Sequence, residues 1–169
     1  TDGQCTFTCN YGYEKSNGEC VPATMRSVWN VTANQLYVDF PVQGRNGTIT
    51  IDWGDGNSDT ISEESDDYYR HTYSQEGTYT ITVTGRINAW SCRIDTSSSY
   101  CKDQLVEIQS YGNTTFDQYA FGRANNLVRL PAEGTPRFVN NQMIGVFQYA
   151  LNFNQNINFW DTSNITDMS

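Results

Sequence analysis

Phe121-Gly122-Arg123-Ala124-Asn125-Asn126-Leu127 and Phe147-Gln148-Tyr149-Ala150-Leu151-Asn152-Phe153 are one pattern written twice, with Phe, Ala, Asn and Leu or Phe recurring at a fixed offset. Met143 and Met168 repeat that spacing one position short. Self-similarity at a period of about 20 to 30 residues marks a solenoid, whose units cannot bury their apolar faces alone and stack on their neighbours. The matched Phe, Ala and Leu or Phe positions are then the buried rungs. The spacing of Met143, Ile144, Phe147, Tyr149, Ala150 and Leu151 predicts one or two helical turns per unit. The polar run 152–158 predicts a turn before Trp160 and a short strand at Ile165. The pattern stops in mid-unit at Ser169, so the expectation is a piece of a longer array. Trp160, Ile165 and Met168 are expected to be less buried than the same positions under a further unit.

Upstream of the repeat the period changes from helical to strand-like. Trp29 and Val31, then Leu36, Val38 and Phe40, then Ile49, Ile51 and Trp53, then Tyr79, Ile81 and Val83 alternate apolar with polar residues, as half-buried strands do. The last run alternates with Thr78, Thr80, Thr82 and Thr84, a solvent face of good strand formers. Two sheets packed face to face over residues 24–86 follow from this.

Three resemblances carry family information. The string Phe-Asn-Gln-Asn-Ile-x-x-Trp-Asp-Thr-Ser-Asn-Ile-Thr-Asp-Met-Ser at 153–169 resembles the repeat of BspA-like leucine-rich surface proteins of bacteria and some parasitic protists. The likeness is specific over roughly one repeat unit and weakens back to Leu105. It departs where the family has Met-Phe and this chain has Val146-Phe147, and where the unit at 116–140 carries Pro131, Gly134 and Pro136, which reads as an atypical cap. Asp52-Trp53-Gly54-Asp55-Gly56, His71-Thr72-Tyr73 and Gly77-Thr78-Tyr79-Thr80-Ile81-Thr82-Val83 resemble the polycystic-kidney-disease (PKD) domain. There Trp53 ends a strand in the core, and Gly54 and Gly56 allow the tight turn after it. Cys5-x-x-x-Cys9-x-x-Gly12-Tyr13 and Gly18-x-Cys20 resemble the last loop of an epidermal-growth-factor-like module, which implies a Cys9–Cys20 bond, with Cys5–Cys20 open as the alternative.

The expected order is an EGF-like cysteine-rich spacer at 1–23, a PKD-like β-sandwich at 24–86, a disulfide-closed connector at 87–104 and leucine-rich repeats at 105–169. The strand from Leu105 to Ile108 is expected to open the solenoid. The fold class is thus mixed but mainly β, a sandwich followed by the start of an α/β solenoid. Five cysteines without Cys-x-x-Cys spacing read as disulfide partners in an exported protein. Closing the loop between Cys92 and Cys101 stabilises by roughly 2–3 kcal/mol if chain entropy dominates.

The composition narrows function. With 37% apolar and 14% aromatic residues, 169 residues build one to three small cores. No run of about 18 apolar residues occurs and the first residues lack a charged, then apolar, leader, so any export signal or anchor is expected outside this stretch. A net charge of −9 repels a phosphate backbone and argues against nucleic acid. The acidity is densest at 52–67, a solvated loop.

Candidate site residues follow from residue chemistry. Asp55, Asn57 and Asp59 place oxygen ligands at alternate positions, with Glu63 or Glu64 near enough in sequence to complete a calcium shell. An EF-hand is rejected, because its Gly and Glu positions hold Thr60 and Asp66. His71, the sole histidine, excludes a multi-imidazole metal site and is read as a structural strand residue. No nucleophile elbow, phosphate loop or activated Cys-His pair occurs, and a sandwich turn offers no cleft for paired carboxylates, so no catalysis is expected. Trp90, Tyr100, Tyr111, Tyr119 and Tyr149 fall outside clear strand alternation and are the candidates for an exposed aromatic binding patch. Asn30, Asn46, Asn113 and Asn164 head glycosylation sequons. A glycan on Asn164 would interrupt stacking, which favours a source that does not read the sequon.

The resemblances imply an extracellular surface protein that adheres to a cell-surface protein or glycan, acts without a cofactor other than calcium, and forms a homo-oligomer through a parent fibre. The alternatives are a carbohydrate-binding accessory module of a secreted enzyme and a structural spacer.

Overall fold

A computed structural model describes residues 9, 13–44, 47–62, 68–92, 99–132 and 134–169. Cys5, Asn46, Glu63, Glu64 and the Ser- and Thr-rich loop at 93–98 lie outside the described residues, and so do the expectations placed on them. Among the described residues twelve strands run in chain order: β1 (Tyr13–Ser16), β2 (Glu19–Pro22), β3 (Met25–Val31), β4 (Tyr37–Pro41), β5 (Ile49–Asp52), β6 (Ser58–Ile61), β7 (Tyr68–Thr72), β8 (Gly77–Thr84), β9 (Ile87–Trp90), β10 (Leu105–Tyr111), β11 (Thr114–Phe116) and β12 (Arg137–Phe138).

β1 and β2 form a hairpin closed by Asn17 and Gly18, both with positive φ, and stapled by the Cys9–Cys20 disulfide. The alternating runs become the sandwich. A five-stranded sheet has the order β10-β3-β8-β5-β6, and β4 pairs antiparallel with β7 in a second sheet. Burial follows the alternation: Tyr79, Ile81 and Val83 turn inward while Thr78, Thr80 and Thr84 are on the outer face. Across the core Trp29 of β3 meets Phe40 of β4 at 5.7 Å between ring centroids, and Phe40 meets Trp53 edge-on at 6.0 Å.

Strand β10, expected to open the repeat, lies antiparallel on β3 with Leu105 opposite Trp29 and Met25 opposite Tyr111. Its other edge carries the first coil of the stack, through Ile108 N–H to Arg129 O at 3.0 Å and Val128 N–H to Val106 O at 2.9 Å. The segment expected as a mere connector also contributes a strand: β9, β11 and β12 form a parallel three-stranded sheet. From there backbone bonds join residues about one period apart. Tyr119, Phe121 and Arg123 N–H groups donate to the carbonyls of Ile144, Val146 and Gln148 at 2.9, 2.9 and 2.8 Å. Met143 and Gly145 donate to Asp167 and Ser169, each at 2.8 Å. Phe121, Ala124 and Leu127 are fully buried, whereas their counterparts Phe147, Ala150 and Phe153 are only half-buried, and Phe147 stacks on Phe121 at 5.6 Å. Trp160 is also buried, against Phe138 and Phe147, while Met168 is 65% exposed.

The helical turns expected in each coil do not form. Among the described residues the one helical segment is a 3-10 turn at Val139–Asn141. Tyr119 and Arg123 take φ of 56° and 58°, and their equivalents in the next coil, Gly145 and Tyr149, take 58° and 59°. A left-handed residue every fourth position stops an α-helix and leaves a chain of tight turns instead. The apolar spacing that mimicked a helix is produced by those turns.

Candidate functional site

The turn between β5 and β6 is built from local carboxylate chemistry. The Gly54 N–H donates to Asp52 Oδ1 at 2.9 Å, and the Asn57 N–H donates to Asp55 Oδ1 at 2.9 Å. Each aspartate caps the backbone two residues on, which is what Asx residues do in turns. A Cβ on Gly54, whose φ is +76°, would come within 2.5 Å of the Thr80 carbonyl oxygen of β8, so the close approach and the left-handed backbone both require glycine.

The calcium candidates Asp55, Asn57 and Asp59 are each drawn into hydrogen bonds, and Glu63 and Glu64 lie outside the described residues. Asp55 Oδ2 accepts from the Asn57 amide at 3.1 Å and lies 2.9 Å from His71 Nε2, so both its oxygens are engaged. Asp59 turns away to accept the Trp53 indole N–H at 2.7 Å. Asp55 therefore serves Asn57 and His71 while Asp59 serves Trp53, and among the described residues no three acidic, histidine or cysteine groups converge on a common point. Burial opposes ionisation of Asp55, but hydrogen bonds from His71 and from the Asn57 backbone and side chain hold its carboxyl below the ordinary value. His71 is wedged between Trp53, stacked at 4.6 Å, and Tyr73, edge-on at 4.7 Å. Tyr73 in turn donates its hydroxyl to the Trp53 carbonyl at 3.1 Å, and burial raises its phenol well above the ordinary value. The network fastens β5 to β7.

The five candidate aromatics separate into different environments. Trp90 and Tyr100 are corrected outright as exposed platforms. Trp90 has no exposure and donates Nε1 to the Ala120 carbonyl at 3.1 Å. Tyr100, 9% exposed, lies against Tyr68 at 5.1 Å beside the Cys92–Cys101 disulfide, whose cysteines are also fully buried. Tyr111 packs its ring edge-on against Phe116 at 5.6 Å, and burial raises its phenol, opposed by the neighbouring Trp160 indole. Tyr119 is half-buried on the turn above Gly145. Tyr149 alone of the five meets the expectation of exposure, at 56%, with the Arg123 guanidinium 4.6 Å from its ring centroid. Leu151, two residues on, is 74% exposed. Asn164 is exposed as well.

Sequence reasoning missed two groups. Gln104, only 5% exposed, accepts from Gln35 Nε2 and donates to the Tyr37 carbonyl, each at 2.8 Å, tying β10 to the start of β4. Arg70 forms a two-pronged bond to Asp39 at 2.6 and 2.7 Å with its guanidinium 4.1 Å over Tyr37, and that pairing raises its pKa. Nothing in their local sequence marks either, because both depend on strand pairing. No described helix is long and apolar enough to cross a membrane.

No curated protein and no solved structure matches the chain. The family match falls on the sandwich and not on the stacked coils or the hairpin. Residues 23–89 match the family model of the PKD domain, a non-catalytic module that is typically extracellular and adhesive or structural.

Proposed function

We propose that the chain is an extracellular recognition module in which a PKD sandwich carries a BspA-like leucine-rich stack, preceded by an EGF-like disulfide spacer, and that it binds a cell-surface protein or glycan without catalysis. The observation that carries this is the Tyr149–Arg123 pair on consecutive coils: an aromatic ring 56% exposed and capped by a cation, on a backbone held by inter-coil hydrogen bonds. A rigid ring with apolar faces and a polar edge is the side chain that anchors interfaces at small entropic cost. Two disulfides support an oxidising, extracellular setting.

The test is binding of the fluorescently labelled chain to whole-cell surfaces, with Tyr149→Ser as the variant. Because the ring is mostly exposed, the variant should keep the wild-type Tm while losing at least about fivefold in affinity, the scale of one interface anchor. Chelator should leave binding unchanged, given the engagement of Asp55 and Asp59. Saturable binding untouched by the variant would remove Tyr149 from the site. No binding to any surface would favour the spacer reading.

A further inference from the structure

The junction of the hairpin, the sandwich sheet and the coils contains a cleft of about 650 Å³ lined by Tyr13, Arg26, Ser110, Thr114, Thr135 and Arg137 among others. That volume is in the range of ligand sites. Two smaller hollows extend it. One, of about 410 Å³, shares Thr135 and Arg137 and adds Arg86; the other, of about 570 Å³, shares Gln109 and Pro131 and adds Arg129.

The charge along this trough runs against the rest of the protein. Four of the ten cationic residues of a chain with net charge −9 line it. Its carboxylates already have partners. Glu14 sits 3.9 Å from Arg26 and accepts from the Thr24 hydroxyl, Glu107 pairs with Arg129 at 3.4 Å, and Asp161 accepts the Ser163 N–H at 3.0 Å. The Glu14–Arg26 pair is long, and the Arg26 side chain stays 42% exposed, so its guanidinium retains donors for a second anion. Tyr13, at 51% exposure, also lines the cleft, and the Ser110 and Thr135 hydroxyls accept the Gly112 and Asp161 N–H groups at 3.3 and 2.7 Å and keep their own O–H to donate, while Thr114 is buried.

We propose that this cleft is a binding site for an anionic saccharide, a pyranose bearing a carboxylate or sulfate. Arg26 and Arg137 take the anion, Tyr13 takes the ring face, and the Ser110 and Thr135 hydroxyls donate to the sugar hydroxyls. An acidic peptide would use the arginines but leave the exposed Tyr13 ring without the flat apolar face that a pyranose presents. The inference rests on the recognition reading above and gives it a ligand class at a surface distinct from Tyr149.

The experiment is calorimetric titration of the whole chain with oligogalacturonate, its methyl ester, a sulfated oligosaccharide of the same length and a polyglutamate peptide, at low and high salt. The acid or the sulfated sugar should bind saturably, and the tighter of the two identifies the anion. The methyl ester, which keeps the rings and loses the charge, should bind at least about tenfold more weakly. Arg137→Gln and Arg26→Gln should each reduce affinity by about tenfold, and Tyr13→Ala by about fivefold, with near-ultraviolet circular dichroism unchanged. Arg137 is exposed, so its variant keeps the test valid if the Arg26 variant fails to fold. Equal binding of the ester, preference for polyglutamate, or indifference to both arginine variants overturns the proposal. No sugar binding alongside intact cell binding overturns it and leaves the adhesion reading standing; sugar binding without any cell binding does the reverse.

Discussion

Replacing Trp90 by alanine should destabilise the sandwich and the coils together, because its indole is shared by both. The ring centroid lies 6.4 Å from Trp29 and 5.1 Å from Phe40 in the sandwich, and 6.3 Å from Phe116 in β11. Nε1 holds the Ala120 carbonyl of the first coil. Truncating a fully buried tryptophan costs about 3–5 kcal/mol. Lost edge-on ring pairs, worth about 0.5–1.5 kcal/mol each, and an orphaned buried carbonyl push the figure to the top of that range. A loss of about 5 kcal/mol is comparable with the whole stability of many domains. Trp90→Phe keeps most of the apolar area and forfeits the N–H bond, so it should cost only about 1–3 kcal/mol. Urea titration gives the free energies, and amide hydrogen exchange locates them. In Trp90→Ala the amides of β8 and those of residues 119–127 should lose protection together. A loss clearly below the range for a buried tryptophan, or β8 protected as in wild type while 119–127 exchanges freely, would refute the shared core.

Three further outcomes are expected. Asp55→Asn should lower stability at neutral pH, and since the folded carboxyl sits below its ordinary value, that deficit should be fully present above about pH 5 and shrink as pH falls below about 4, read by Tm against pH. Removing the Cys92–Cys101 bond with a double alanine variant should cost roughly 2–3 kcal/mol in urea titration; a loss within error would mean that the buried surroundings already hold this segment. Gly145→Ala places a Cβ into the Tyr119 ring at a positive φ and should cost about 1–3 kcal/mol, whereas Tyr149→Ala, at an equally left-handed but open position, should cost less by the same urea titration.

The sandwich strands were legible because alternation is a local signal that burial enforces: Ile49, Ile51 and Trp53 point inward as their spacing requires. The offset that matches Phe121 with Phe147 corresponds to a stacked ring pair at 5.6 Å, with Phe121 fully buried and Phe147 half-buried. What escaped was non-local or degenerate. The pairing of β10 with β3 joins strands separated by most of the sandwich, and no local pattern in Leu105 to Ile108 announces it. Alternating Asp and Asn serve a calcium loop and a pair of Asx turns equally well in sequence, and here Asp52 and Asp55 cap backbone N–H groups. Trp90 reads as a surface candidate because Ile87 to Trp90 does not alternate; the strand is enclosed by β11 and by the sandwich aromatics.

The register that sets Met25 opposite Tyr111 brings the entrance and the exit of the sandwich within one strand spacing of each other. Topologically the whole sandwich is then a loop inserted between two adjacent points. Its far turns can lengthen, shorten or be exchanged in the course of evolution without altering how the hairpin meets the coils. The junction where Tyr13, Arg26, Tyr111 and Arg137 gather is insulated from such drift, so across variants of this architecture its geometry should outlast that of the sandwich loops.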